Sequence, residues 1–127
     1  MKVLVVEDSS AMRNVIASTA EEVHGVEAMQ AQNGFEALKL LPSGDFALII
    51  TDINMPDLNG LELIRYIRQH PRYQTTPLFI VTTEGSDTDR QRGLALGVNE
   101  YLIKPFDPRA LKTLINKYLV EEGANRG

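Results

Sequence analysis

Short apolar runs that end in polar residues recur along this chain. The runs cover residues 3–6, 47–50, 78–81 and 101–103, and they consist mainly of Val, Leu and Ile. Apolar runs of this length are typical of strands that are buried on both faces of a parallel sheet. Residues 26–31 form a weaker run, so the pattern predicts five strands.

The segments between these runs carry apolar residues at helical spacing. The first helix is predicted to begin at a cap on Ser9 or Ser10 and to end near Gly25. The second is predicted to stop at Pro42-Ser43-Gly44, and the third before Pro71. The expected buried positions are Met12, Val15, Ile16, Thr19, Ala20 and Val23 in the first helix, Phe35, Leu38 and Leu41 in the second, and Leu61, Ile64 and Ile67 in the third.

Two further helices follow the fourth and fifth strands. Residues 87–96 predict a helix that Gly93 should loosen, because glycine costs about 1 kcal/mol relative to alanine in a helix. Gly97 is the expected C-cap. The last helix is predicted to be capped by Asp107 and opened by Pro108. Its expected apolar face consists of Leu111, Leu114, Ile115 and Tyr118.

Strand and helix therefore alternate five times. This order predicts an α/β fold with a doubly wound parallel sheet, because right-handed crossovers place helices on both of its faces. The expected architecture is a flavodoxin-like (βα)5 fold with strand order 2-1-3-4-5. We expect one domain over residues 1–120 and a frayed C-terminal tail over residues 121–127.

Composition excludes several classes of protein. The 127 residues carry a formal net charge of -4, which argues against general affinity for nucleic acid. No apolar run is long enough to span a bilayer, and Glu7 interrupts the first run where a signal peptide would continue. The chain has no cysteine, so thiol chemistry and disulfides are excluded. We therefore expect a cytoplasmic protein.

The polar residues after the predicted strands are the candidate site. Glu7-Asp8 follow the first strand, Asp52 the third, Thr82-Thr83 the fourth and Lys104 the fifth. The carboxyl ends of parallel strands share one edge, which is where open α/β sheets bind ligands. Three adjacent carboxylates require either raised pKa values or a bound cation. An oxygen-only ligand set favours Mg²⁺.

Four motifs in fixed order resemble a known family. They are Val-Val-Glu7-Asp8-Ser, Asp52-Ile-Asn-Met-Pro56-Asp-Leu-Asn-Gly60, Val81-Thr82-Thr83-Glu84 and Tyr101-Leu-Ile-Lys104-Pro105-Phe106. Together they resemble the receiver domains of two-component response regulators, especially the single-domain CheY-like chemotaxis type. The resemblance extends over essentially the whole chain.

The resemblance implies a role for each site residue. Asp52 would accept a phosphoryl group from the phosphohistidine of a CheA-like sensor histidine kinase, so that the protein catalyses its own modification. Asp8 and Asp52 would bind Mg²⁺ directly, Glu7 would bind it through water, and the backbone carbonyl of Asn54 would complete the protein ligands. Lys104 would pair with the Asp52 carboxylate and then with a phosphoryl oxygen. Thr82 would move towards it and let Tyr101 turn inward.

Other family features concern the lifetime of the phosphorylated state. Asn54 and Glu84 are the pair expected to flank the hydrolytic water, which predicts a short-lived state. Thr83 stands where the family usually has a smaller residue, and its bulk could shield the phosphoryl group.

The Lys104-Pro105 bond is cis in the family, and an X-Pro bond permits this.

Signal output is expected from the fourth helix, fifth strand and fifth helix of a monomer. The candidate exposed contacts are Arg90, Arg92, Asn99, Glu100, Tyr101 and Lys117. We expect no separate output domain after residue 127, and therefore output through protein binding or phosphoryl relay, with a flagellar motor switch the leading target by resemblance. A phosphorelay intermediate, a phosphate sink and a phosphorylation-independent pseudo-receiver are the alternatives.

Two alternatives come from other classes of protein. A flavin or nucleotide carrier would need free amides in a glycine- or hydroxyl-rich loop after the first strand, where Glu7-Asp8 would repel phosphate. A Mg²⁺-dependent nuclease or topoisomerase-like domain would need two carboxylates where Asp52-Ile53-Asn54 supplies one.

Overall fold

The computed structural model describes residues 1–83 and 86–121 and contains one five-stranded sheet. Its strands are β1 (Lys2–Val6), β2 (Glu27–Ala31), β3 (Leu48–Thr51), β4 (Leu78–Thr82) and β5 (Glu100–Ile103). All neighbouring strands are parallel, and their order is β2-β1-β3-β4-β5. The predicted flavodoxin-like (βα)5 fold and strand order are confirmed.

Five α-helices alternate with the strands in the described part of the chain. They are α1 (Ser10–Glu21), α2 (Gly34–Gly44), α3 (Gly60–Gln69), α4 (Asp87–Ala95) and α5 (Pro108–Asn116), and a π-helical turn, Lys117–Glu121, continues α5. The N-caps are Ser9, Asn33, Asn59, Ser86 and Asp107, and the side chain of each accepts a hydrogen bond from a backbone N–H. The helices therefore begin where short polar side chains can satisfy their free N–H groups.

The sheet separates two apolar cores. In β1, Leu4 and Val6 pack with α2 and α3, whereas Val3 and Val5 pack with α1 and α5. Successive side chains of a strand point to opposite faces, so a strand buried on both sides must be apolar at every position. This explains why the strands appear in the sequence as continuous apolar runs.

Two details of the first two helices differ from prediction. Val15 is 42% exposed and Phe35 is 52% exposed, so neither belongs to the core. Helix α2 passes through Pro42 and ends at Gly44, within the predicted stop at Pro42-Ser43-Gly44. The Pro42 carbonyl accepts a 2.7 Å hydrogen bond from Arg72 Nη1, and Asp45 closes the helix in the left-handed region at φ 50°. The Arg72 contact thus satisfies a carbonyl in the last turn of α2, where helical partners are lacking.

Helix α4 approaches the sheet through Gly93, its only residue that is buried. A Cβ at this position would lie 3.1 Å from Ile80 Cδ1 of β4. The C-cap is Leu96 rather than Gly97, and Gly97 follows it at φ +78°. Gly93 therefore permits close packing of α4 on β4, although it lowers the intrinsic helix propensity of α4.

The predicted tail largely lies outside the described residues, and the domain boundary at residue 120 stays a prediction.

Candidate functional site

The polar residues predicted to form a site follow strands that are in register. Val6 pairs with Thr51, and Thr82 pairs with Ile103. The residue that follows each of these four therefore lies at the same edge of the sheet. These residues are Glu7 after β1, Asp52 after β3, Thr83 after β4 and Lys104 after β5. β1 lies between β2 and β3, so this edge includes the point where the strand order reverses.

Three carboxylates meet at this edge. Glu7, Asp8 and Asp52 each offer an oxygen that lies within 4.8 Å of the others. Glu7 and Asp52 are buried, and Asp8 is exposed. The set offers hard oxygen ligands with one side open to solvent, which suits a divalent ion such as Mg²⁺ that retains part of its water shell. The residues present thus fit the predicted metal.

Lys104 places an ammonium group among these carboxylates. Its Nζ lies 3.0 Å from Asp52 Oδ2 and also contacts Glu7 Oε1. The peptide bond from Lys104 to Pro105 is cis, as in the family that the motifs resemble. The sequence suggested that raised pKa values or a metal must compensate for the clustered carboxylates. The Asp52 contact agrees with the pairing that the resemblance implied, and the contact with Glu7 is additional: Lys104, directly after β5, supplies a cation to both carboxylates.

Burial and ion pairing act in opposite directions on these groups. Burial raises the pKa of Glu7, and hydrogen bonds from Lys104 and the Ser9 N–H oppose it without cancelling it. Burial by itself would lower the pKa of Lys104, but its hydrogen bonds to Glu7 and Asp52 outweigh burial and raise that pKa. Lys104 is therefore held in its charged form beside Asp52.

The carboxylate of Asp52 is oriented through both of its oxygens. Oδ1 accepts a 3.1 Å hydrogen bond from the backbone N–H of Asn54, and Oδ2 contacts Lys104. The loop after Asp52 is tied down in turn, because Gly60 N donates to Ile53 O at 2.9 Å. The acceptor candidate thus has a fixed orientation before any ligand arrives.

Glu7 is also held at several points. Its Oε2 accepts a 2.9 Å hydrogen bond from Ser9 N, and its backbone carbonyl accepts one of 2.9 Å from Arg13 Nη1. The sequence pattern did not predict that Arg13 contacts the site. Its position in α1 near the acidic loop was the available signal, but the orientation of a long side chain depends on tertiary structure.

The other predicted site residues differ in how deeply they are buried. Thr82 is fully buried at the end of β4, and Thr83 is exposed. Tyr101 is half-buried in β5, and the Arg90 guanidinium lies 5.7 Å from its ring centroid. Asn54 is exposed. Glu84 lies outside the described residues.

The expected exposure of the output face is only partly correct. Arg90, Arg92, Asn99 and Lys117 are exposed, whereas Glu100 and Tyr101 are half-buried. Glu100 accepts a 2.6 Å hydrogen bond from the Tyr118 hydroxyl. An alternating strand at the edge of the sheet packs some of its side chains against the flanking helices, which accounts for this difference.

Comparison with protein families identifies the chain. The model of the response regulator receiver domain matches residues 3–116. The chain belongs to this family. Among curated relatives, the chemotaxis protein CheY homolog of Campylobacter jejuni is 42% identical over 120 residues, which cover 94% of this chain and 92% of that protein. CheY1 of Helicobacter pylori is 42% identical over 113 residues, covering 88% and 91% of the two chains.

Solved structures of receiver domains share the fold. CheY4 of Vibrio cholerae matches with a TM-score of 0.86 and 36% identity, covering 93% of this chain and 98% of that chain. A CheY-like receiver domain of Methanospirillum hungatei matches with a TM-score of 0.89 and 27% identity, covering 99% and 98%. Among the described residues, no helix is both long enough and apolar enough to cross a membrane.

Proposed function

We propose that this receiver domain is the phosphoacceptor of a chemotaxis-type two-component system, and that Asp52 is the residue phosphorylated. One observation carries the proposal: the Asp52 carboxylate is held by Lys104 and by the Asn54 N–H, directly beside Glu7 and Asp8. The chemotaxis role is supported by relatives named as chemotaxis proteins. We expect the domain to act in the cytoplasm as a monomer.

The reaction requires the Asp52 carboxylate to attack phosphorus. A bond forms from an Asp52 carboxylate oxygen to phosphorus as the P–N bond of a kinase phosphohistidine breaks, and the imidazole leaves with that electron pair. Lys104, whose Nζ lies 3.0 Å from Asp52 Oδ2, would contact a phosphoryl oxygen once Asp52 is bonded to phosphorus. Preorganised cations of this kind stabilise the charge that develops in the transition state.

The acidic cluster would hold the metal that assists this step. Asp8 and Asp52 would be direct ligands, Glu7 would act through water, and the Asn54 carbonyl would complete the protein ligands. When bound, Mg²⁺ would supply a second positive charge for the phosphoryl oxygens. A related structure, the response regulator Rcp1, is described as an Mn²⁺-bound form, with a TM-score of 0.77 and 25% identity.

Signal output would follow from the dianionic phosphoryl group on Asp52. Thr82 would donate its hydroxyl to a phosphoryl oxygen, and Tyr101 would turn inward, changing the face formed by α4, β5 and α5. A CheA-like kinase would be the donor and a flagellar motor switch the target. Asn54 and Glu84 would favour hydrolysis and Thr83 would oppose it, so the phosphorylated state is expected to be short-lived.

The direct test is intact mass after incubation with Mg²⁺ and acetyl phosphate. We expect the gain of one phosphoryl group, lost in Asp52→Asn and in the presence of EDTA. Asp57→Asn is the matched control, because Asp57 is an exposed aspartate of the same loop and asparagine tolerates its positive φ of 71°.

A negative result with acetyl phosphate has two follow-up measurements. A phosphorylated kinase domain tests for donor selectivity, and beryllofluoride binding tests for a product that hydrolyses too fast to detect. Failure of all three would replace the phosphoacceptor with a phosphorylation-independent pseudo-receiver. If onward transfer to a histidine phosphotransfer domain exceeded hydrolysis, the relay alternative would replace the chemotaxis role.

A further inference from the structure

Arg13 connects three segments around the acidic cluster. It lies in α1, and its Nη1 donates a 2.9 Å hydrogen bond to the backbone carbonyl of Glu7. Its Nε donates a 3.0 Å hydrogen bond to Gln30 Oε1 on β2. Arg13 is half-buried, and its guanidinium bridges the loop after β1 to the neighbouring strand β2. Neither hydrogen bond involves the carboxylate groups of the acidic cluster.

The contact with the Glu7 carbonyl fixes more than one residue. That carbonyl belongs to the peptide unit joining Glu7 to Asp8, and a peptide unit is planar and rigid. A hydrogen bond to its oxygen therefore restrains the direction in which the backbone enters Asp8. The Glu7 N–H donates to Ala31 O at 3.1 Å, and Ser9 N donates to Glu7 Oε2. Arg13 is thus the side chain that holds the middle of this loop.

We propose that Arg13 is a positioning residue for the cation site, and that it sets the affinity of the Glu7, Asp8 and Asp52 cluster by fixing the Glu7–Asp8 peptide. The inference rests on the proposed function, since it requires the cluster to bind Mg²⁺. Outer-shell hydrogen bonds typically contribute a factor of about 10 to 100 in metal affinity.

A simple electrostatic effect predicts the opposite result. A guanidinium close to a cation site repels the incoming ion, so removal of its charge would strengthen Mg²⁺ binding. Positioning and repulsion can be separated because lysine keeps the charge but lacks the rigid fork with which arginine reaches two acceptors at once. The Lys variant therefore loses the bridge without losing the charge.

The test is Mg²⁺ titration of the whole chain, followed by amide chemical shifts, for Arg13→Lys and Arg13→Met. Positioning predicts that both variants bind Mg²⁺ about tenfold more weakly than the unsubstituted protein. Arg65→Lys and Arg65→Met are matched controls, because Arg65 is exposed on α3, across the sheet from α1, and they should leave affinity unchanged. Tighter binding by Arg13→Met, or unchanged binding by Arg13→Lys, would overturn the proposal.

Amide exchange gives a second readout that does not depend on the metal. Without Mg²⁺, loss of the bridge should speed exchange at Asp8 and Ser9 relative to the amides of β1, and unchanged relative rates would count against positioning. If both Arg13 variants fail to fold, Gln30→Ala decides, because it removes the second anchor of Arg13. Weaker Mg²⁺ binding by Gln30→Ala would support the inference, and unchanged binding would reject it.

The two proposals fail in different ways. Absence of Mg²⁺ binding by the unsubstituted protein would overturn the metal-dependent function and this inference together. Normal binding by the unsubstituted protein, combined with normal binding by Arg13→Lys, would overturn only the role of Arg13.

Discussion

Gly60 packs directly against the backbone of Asp52. A Cβ at Gly60 would overlap the Asp52 carbonyl oxygen and would lie 2.6 Å from Ile53 Cα. Both neighbours are backbone atoms, which cannot move aside as the end of a flexible side chain can. The first residue of α3 therefore lies as close to the phosphoacceptor candidate as glycine alone permits.

We predict that Gly60→Ala destabilises the protein and impairs phosphorylation. Relief of the overlap requires movement of α3 or of the Asp52–Ile53 backbone, and overpacking of this kind costs about 1–3 kcal/mol. Urea unfolding followed by circular dichroism should show the loss of stability, and intact mass should show slower gain of the phosphoryl group. Normal stability and normal phosphorylation would contradict the close approach.

Gly93→Ala offers a matched comparison with the opposite expectation. Its Cβ would meet a terminal methyl group, Ile80 Cδ1, at 3.1 Å, so a shift of a few tenths of an ångström relieves the contact. Alanine also gains about 1 kcal/mol in helix propensity. We expect the free energy of unfolding to change by less than about 1 kcal/mol. A loss as large as that of Gly60→Ala would show that α4 cannot move relative to β4.

The strand order and the positions of the site residues were predictable because they depend on local patterns. Each buried strand is a continuous apolar run, and each helix begins at a short polar cap. Polar residues such as Asp52 and Lys104 then follow strands directly, and parallel topology alone brings them to one edge. The resemblance to receiver domains led to the same edge and added residue roles that stay proposals.

The features that were missed depend on where long side chains reach. The contact of Lys104 with Glu7 as well as Asp52 requires the exact depth of the ammonium, which strand order does not specify. Arg13 and Arg72 donate hydrogen bonds to the backbone carbonyls of Glu7 and Pro42, which are not their neighbours in sequence. Sequence periodicity likewise assigned Phe35 to the core, although the packing of α2 leaves it exposed.

Glu36 gives a prediction for pH dependence. It lies in the first turn of α2, where its carboxylate accepts hydrogen bonds from the side chain and backbone N–H of Gln32, and these contacts lower its pKa. A carboxyl group whose pKa is lower in the folded state stabilises the fold above its unfolded pKa of about 4.5. That stabilisation is lost as the pH falls from there through the lower folded value.

We therefore expect Glu36→Gln to be less stable than the unsubstituted protein at neutral pH, with the difference shrinking below about pH 4.5. Urea unfolding at a series of pH values measures this directly. Glu62→Gln is the control, because Glu62 is an exposed acid in the first turn of α3 without a corresponding Gln contact. A Glu36→Gln difference that stays constant across the pH range would rule out the charged hydrogen bonds as its cause.

Arg68 joins the end of α3 to the end of α4. Its guanidinium donates hydrogen bonds of 2.7–3.0 Å to four backbone carbonyls, those of Tyr73, Thr76, Leu96 and Gly97. Leu96 and Gly97 follow the last turn of α4, where carbonyl groups lack helical partners and a positive charge is favourable. Since Gly93 is the only buried residue of α4, this clamp is a large part of what holds the helix in place.

We predict that Arg68→Met lowers the free energy of unfolding by about 2 kcal/mol, because it leaves several partly buried carbonyls without a donor. The loss should be local as well as global, so the amides of α4 should exchange faster relative to those of α3. Arg65→Met, an exposed position on the same helix, controls for helix propensity and charge. If Arg68→Met unfolded no more easily than Arg65→Met and α4 kept its protection, the apolar contacts of Leu96 and Val98 would have to hold the helix without the clamp. A confirmed local effect would instead show that Arg68 anchors the end of α4 to α3.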